Sequence, residues 1–226
     1  VFLFGISHLT GYRPAIVTLP GGLIIDLSFI LGFVGTILAF ALFVCTAMIY
    51  ACLRFLREWH SPLTVVNYIL MGGASGFTLA AFYAALAAPS QTNFFVSWAI
   101  IITFLAFAGR SASLARNARL KPKSTIQTAI GMKHPYIVQR SMGSMGGSFN
   151  TREFFHGKSE SFLRTVKPAF MIFAFVAPLM LLAPFTSSPV LLGIAFVLQY
   201  LGLLAERWFF FAQANHPQNL YYQTIG

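Results

Sequence analysis

"LSFILGFVGTILAFALFVCTAMIYACLRF", residues 27–55, carries a single charge, Arg54, close to its end. A helix rises about 1.5 Å per residue, and about 20 apolar residues cross the ~30 Å hydrocarbon of a bilayer. The stretch is long enough to span a membrane, and then to tilt in it or protrude from it. The rest of the chain is of the same kind. It is 57% hydrophobic and 9% charged, with mean hydropathy +0.74, whereas an ordinary soluble domain carries roughly 25% charged residues. A soluble domain is excluded.

Four more stretches meet or approach the spanning length: residues 64–88, 94–114, 168–185, which is short, and 189–212. Residues 1–8 read as the stub of an earlier span. The chain starts at Val1 with no Met, basic flank or signal cleavage site, and so reads as lacking its true N-terminus. The expectation is an all-α, polytopic transmembrane helix bundle of about five full spans plus this stub, a single bundle over residues 1–226. Short connections at 89–93 and 186–188 fit antiparallel helix pairs. "MGGASG", residues 71–76, puts small residues where helix backbones can approach closely in lipid.

Basic residues set the orientation, because Lys and Arg accumulate in cytoplasmic loops. With alternating spans, 14 of the 15 share one face, and only Arg13 falls on the other. That face is expected to be cytoplasmic and to carry the C-terminus. The net charge of +10 is then the positive-inside bias plus attraction to anionic lipid, with no nucleic acid required. Residues 115–167 exceed a mere connection, since loops beyond about 15 residues are usually functional or disordered. They are expected to form a basic cytoplasmic cap, with docking groups Arg140, Arg152, Glu153, Phe154, His156 and Lys158.

Cys45 and Cys52 lie seven residues apart, about 10 Å along one helical stripe, too far for a disulfide. They read as buried structural thiols. No Cys/His cluster has metal-ligand spacing, so no metal site is expected. Haem needs axial ligands on facing helices, and His8, His60, His134, His156 and His216 all fall at span ends or in loops, so haem is not expected.

The basic face also gathers the unusual polar groups. In "RFLREWHSPLTVVNY", residues 54–68, Pro62 disfavours helix at Ser61, which can cap the helix that follows. Arg54 and Glu58 have ion-pair spacing, and Trp59 and Trp208 suit an interfacial aromatic belt. The final stretch, "ERWFFFAQANHPQNLYYQTIG", leaves the last span with adjacent opposite charges and a polar tail. A quinone headgroup at such a boundary needs hydrogen-bond partners and a proton route. The candidates are Glu58, Trp59, His60, Asn67, Tyr68, Glu206, Arg207 and His216.

"MIYACLRFLREWHSPLTVVNY", "GGSFNTREFFHG" and "ERWFFFAQANHPQNLYYQ" resemble the membrane-anchor subunits of the dimethyl sulfoxide reductase type, especially the branch serving cytoplasmic sulfite dehydrogenases. The resemblance runs over nearly the whole chain. It implies a bundle of about eight helices in the bacterial inner membrane, holding a molybdopterin catalytic subunit and an iron–sulfur subunit at one face. Electrons would pass between the iron–sulfur subunit and ubiquinone or menaquinone. The family's His-Leu-Gly turn implicated in quinol binding has no counterpart here, and His60 in "EWHSPLT" stands in an analogous turn of a later helix pair. Soluble subunits docked on the basic face would be cytoplasmic, which favours sulfite oxidation over an anchor that oxidises quinol for sulfoxide reduction. From another class, a small-solute transporter would place ionisable groups or broken helices near the midplane. Pro178 and the glycines at 72, 73 and 76 could break helices, but no charge is expected at mid-membrane.

Overall fold

The computed structural model describes residues 2–20, 22, 24–121, 125–138, 154, 158–184 and 187–214. The chain divides into two compact units, residues 1–46 and 47–226. In the first, α1 (Phe2–Thr10) leads to an antiparallel hairpin of β1 (Ala15–Thr18) and β2 (Ile24–Asp26), with Val17 opposite Ile25. Hydropathy does not announce so short a hairpin. Asp26 Oδ1 accepts the Phe29 N–H at 2.7 Å and so caps the start of α2 (Leu27–Ala51).

The helix α2 stops at Ala51, four residues short of the apolar run that ends at Phe55. Residues 52–60 form successive turns. The i,i+4 geometry is thereby lost, and Arg54 and Glu58 do not pair. Both cysteines are free and exposed, which corrects the expectation of buried thiols. In a lipid-facing helix an apolar side chain needs no burial, because the surrounding solvent is itself apolar.

The second unit is a helical bundle of α3 (Pro62–Ala87), α4 (Thr92–Ala118), the short α5 (Ile126–Ile130), α6 (Glu160–Met171), α7 (Ala177–Leu182) and α8 (Pro189–Ala212). The span expected at 168–185 starts at Glu160, with Pro168 inside the helix. The one expected at 189–212 has those bounds. Among the described residues, five helices are long and apolar enough to cross a membrane. Their outer faces carry exposed Phe, Leu, Ile, Val and Trp, among them Phe94, Trp98, Ile101, Phe104 and Val197, as lipid as solvent requires.

Their buried stripes differ in kind. On α3 the stripe is Thr64, Asn67, Met71, Ala74, Thr78, Ala81 and Ala84. On α4 it is Thr92, Val96, Ala99, Thr103, Ala106, Arg110 and Ser113, and on α8 Leu192, Ala195, Gln199, Gly202, Glu206 and Phe210. The steps of three and four keep each set on one face. Small and polar residues dominate because bringing Leu from lipid to a helix interface gains little, whereas close backbone approach and hydrogen bonds gain more. Gly73 illustrates this, since a Cβ there would touch Ile102 of α4; Gly76 faces open space.

Between α6 and α7, residues Ile172–Val176 form a π-helical turn in which the Ala177 N–H bonds back to Ile172 O. Pro178 has no N–H for the Ala174 carbonyl four residues before it. Gln199 Nε2 lies 3.4 Å from that carbonyl and 3.1 Å from Thr103 Oγ1.

The start of α3 rests on one hydroxyl. Ser61 Oγ accepts the Leu63 N–H at 3.2 Å, ahead of Pro62 in the first turn. Replacing Ser61 with Ala is expected to destabilise the bundle by about 1 kcal/mol, and Ser61→Asp to restore most of it. Thermal melts in detergent measure both.

Candidate functional site

The turn at residues 52–61 is held from two sides. Arg116 of α4 donates to Arg57 O at 3.1 Å and to His60 O at 3.2 Å, while Thr64 Oγ1 of α3 donates to Trp59 O at 2.6 Å. Arg57 in turn donates to Lys121 O at 2.6 Å. Arg57 and Arg116 thus serve as backbone clamps, and with Thr64 they fix the turn that bears Glu58, Trp59 and His60.

Trp59 is not an interfacial belt residue. It is 4% exposed, its Nε1–H donates to Phe210 O at 2.9 Å, and its ring stacks on Phe210 at 5.2 Å. Tyr50 meets Trp59 edge-on at 5.3 Å and Phe210 at 5.4 Å. Such ring pairs add to area burial and hold one geometry. The indole joins the inner cluster because α8 supplies both a ring and a carbonyl acceptor.

The main departure from expectation lies deeper. Counting cations by loop assigns Arg110 to the cytoplasmic face, and the sequence places Glu206 where the last helix leaves the membrane. In the structure Arg110 is 3% exposed and Glu206 is fully buried. Counting about 1.5 Å per residue, Arg110 lies about 12 Å before the end of α4 and Glu206 about 9 Å before the end of α8. A lone charge at such depth is costly, so it finds a partner. Arg110 Nε and Glu206 Oε1 are 2.7 Å apart but poorly aligned, so their contact is an ion pair rather than a hydrogen bond. The other carboxylate oxygen accepts from Arg207 Nε at 2.7 Å and lies 2.6 Å from its Nη2. One carboxylate thus joins a buried guanidinium to one that is 28% exposed. The Arg207 guanidinium also lies over the rings of Tyr68, at 4.2 Å, and Phe210, at 4.8 Å, a cation–π arrangement.

Asn67 completes the inner wall, donating from Nδ2 to Ser113 Oγ at 2.7 Å. Glu58, Asn67, Arg110 and Glu206 line one small cavity of ≈ 10 Å³ together with Tyr68 and Arg207. The structure therefore brings six sequence candidates together: Glu58, Trp59, Asn67, Tyr68, Glu206 and Arg207. His60 sits beside them on the turn, exposed, with Nδ1 2.6 Å from Ala51 O. A carbonyl only accepts, so Nδ1 carries the proton and Nε2 is left for other partners. His216 lies outside the described residues, as do Arg140, Arg152, Glu153 and His156. Of the remaining docking candidates, Phe154 meets Trp208 at 5.7 Å and Phe211 at 6.1 Å, and the Lys158 ammonium lies over Phe162.

Arg110 and Ser113 are the members that sequence reading missed. The signal was present: "FLAFAGRSASL" puts one cation inside an apolar run, and Glu206 is one anion inside another. Charges of opposite sign buried in two spans predict each other.

A quinone ring does not fit a cavity of ≈ 10 Å³. Of its lining residues Arg207 and Tyr68 are partly accessible and offer the donors that a headgroup requires, and His60 is exposed on the neighbouring turn. The residues thus suit a headgroup held at the rim, with the buried charges behind it. Among the described residues no group of His, Cys, Asp and Glu is placed to hold a metal ion.

Compared with known proteins, residues 16–217 match the family described as DMSO reductase anchor subunit (DmsC). A sulfite dehydrogenase subunit from Allochromatium vinosum is 50% identical over 228 residues, covering all of this chain and 70% of its own. No solved structure matches.

Proposed function

The chain belongs to the family of DMSO reductase anchor subunits, and we propose that it is the quinone-reactive anchor of a molybdopterin and iron–sulfur oxidoreductase that oxidises sulfite. On this reading the catalytic and iron–sulfur subunits dock on the basic, cytoplasmic face of the bacterial inner membrane, and the C-terminus lies on that side. The observation that carries it is the charged cluster of Arg110, Glu206 and Arg207 close behind the turn that bears His60. Half identity to a subunit of a sulfite dehydrogenase supports the choice of sulfite.

Bound quinone, ubiquinone or menaquinone, takes up two electrons and two protons. The residues around it have separable tasks. Arg207 and Tyr68 orient a headgroup oxygen at the rim, and His60 offers Nε2. Glu206 holds the Arg207 guanidinium in place from behind, since both Arg207 Nε and Nη2 are committed to its carboxylate. Glu58, half-buried on the clamped turn, is the carboxyl free to carry protons inward.

The test is purification of the full-length protein with its partners from native membranes in mild detergent, followed by sulfite-dependent quinone reduction. Co-purification of a molybdenum subunit and reduction of quinone by sulfite are expected. A complex that instead oxidises quinol with a sulfoxide would move the chain to the sulfoxide-reducing branch. A chain that purifies alone, or that carries solute into vesicles, would overturn the anchor reading.

A further inference from the structure

Apart from Arg110 Nε and Glu206 Oε1, which face each other as an ion pair, three buried polar atoms of residues lining the small cavity have no hydrogen-bond partner among the described residues. They are Arg110 Nη2, Asn67 Oδ1 and Glu58 Oε2. Arg110 and Asn67 are 3% and 4% exposed, and a polar group buried unpaired is costly enough to call for a partner. The atom types define what would satisfy them. One is a donor and two are acceptors, so the missing group must accept one hydrogen bond and donate two. Water does this. A small cation is disfavoured by two guanidiniums at the same cavity, and a small anion by the lone pairs of Asn67 and Glu58. The size agrees, because a volume of ≈ 10 Å³ is about the least that holds one water, which needs two to four polar partners.

From this geometry we infer that the cavity is a single-water site, and that its water links Glu58 to Tyr68 at the rim as a proton relay. The site stands on the structure alone; the relay rests on the quinone reading. The transfer is balanced. Glu58 in its acid form gives a proton to the water as the water passes one of its own to the Tyr68 hydroxyl, which passes its proton to the reduced headgroup oxygen at the rim. The Glu58 carboxylate then regains a proton from solvent at the basic face. Two such transfers match the two electrons that the iron–sulfur partner delivers to each quinone. Asn67 is a positioning residue here. Its amide is pinned at Nδ2 by Ser113, and its Oδ1 stands against Gly109, where an added Cβ would meet it.

The test uses the intact complex with its partner subunits. A cryo-EM map fine enough to resolve waters is expected to show one peak in hydrogen-bond reach of all three atoms. A dry cavity, or a Glu58 side chain turned out to solvent, overturns the site. Asn67→Leu is then expected to remove the peak and to lower quinone reduction at least tenfold relative to dye reduction by the same preparation. Glu58→Gln, on the turn and outside the helix contacts, tests the relay should Asn67→Leu fail to assemble. It is expected to keep the peak and to slow quinone reduction by a similar factor. Full quinone reduction in either variant overturns the relay and leaves the quinone reading intact. A complex that shows the peak but reduces no quinone overturns the relay together with that reading, and leaves the water site standing.

Discussion

Arg110→Met is expected to keep the protein from accumulating as a folded, monodisperse species, while Arg110→Met combined with Glu206→Met accumulates at close to the parent level. The single change leaves the Glu206 carboxylate, fully buried, with one guanidinium that is itself drawn toward the surface. Removing one partner of a buried ion pair costs about 3–5 kcal/mol, whereas replacing both with apolar groups of similar volume is often neutral or favourable. Arg207 is 28% exposed and can turn to water in the double variant. Glu206→Met alone is expected to be at least as damaging as Arg110→Met, since it leaves the buried Arg110 without an anion, and the Phe170 ring at 5.7 Å does not replace one. Size-exclusion profiles and melting temperatures of the three variants in one detergent measure the coupling directly. The double variant also separates folding from chemistry. On the proposed reading it folds but reduces quinone poorly, because nothing holds the Arg207 guanidinium from behind. A double variant that folds and reduces quinone at the parent rate would remove Glu206 and Arg110 from the site.

The same cluster shows what a sequence conveys in a membrane protein. Hydropathy sees the solvent-facing property of a helix, and lipid makes that property nearly uniform, so span existence was legible: α8 has the bounds expected of it. Which face of a span turns inward is not legible from apolar pattern, because the outer face is as apolar as the inner one. The inward face is marked instead by small and polar residues, Asn67, Thr78, Thr103, Gln199 and Glu206 among them. Asn67, Tyr68 and Glu206, candidates by chemistry and location, line one cavity, and Trp59, which reads as a belt residue, packs inside against Phe210. Arg110 was missed because counting cations by loop assigns each to the nearest boundary, although about 12 Å of helix separates this one from its end. Where α2 stops was also hidden. Residues 52–55 are apolar enough to continue it, yet the clamp from Arg116 that holds the following turn lies 59 residues away in sequence.

Gly202→Val is expected to abolish folding of the bundle, and Gly202→Ala to destabilise it severely. Gly202 lies on the inner stripe of α8 between Gln199 and Glu206. A Cβ built on it would overlap Ala174 N and Cα and Phe173 C, all of them backbone atoms of the π-helical turn. Overpacking against side chains typically costs about 1–3 kcal/mol because rotamers adjust. Backbone atoms have no rotamers, so relief requires α8 and the turn to separate. That separation would pull Gln199 from Ala174 O on one side. On the other it would pull Glu206 from Arg110, so the effect reaches the site without touching a site residue. Gly76→Ala provides the contrast in the same fold. Its position on α3 meets nothing within 4 Å, and exchanging Gly for Ala in a helix gains up to about 1 kcal/mol. Melting temperatures in detergent should therefore fall steeply for Gly202→Ala and hold or rise for Gly76→Ala. Equal behaviour of the two alanine variants would mean that α8 does not approach the π turn at backbone contact, and the geometry that aligns Gln199, Gly202 and Glu206 against their partners would have to be redrawn.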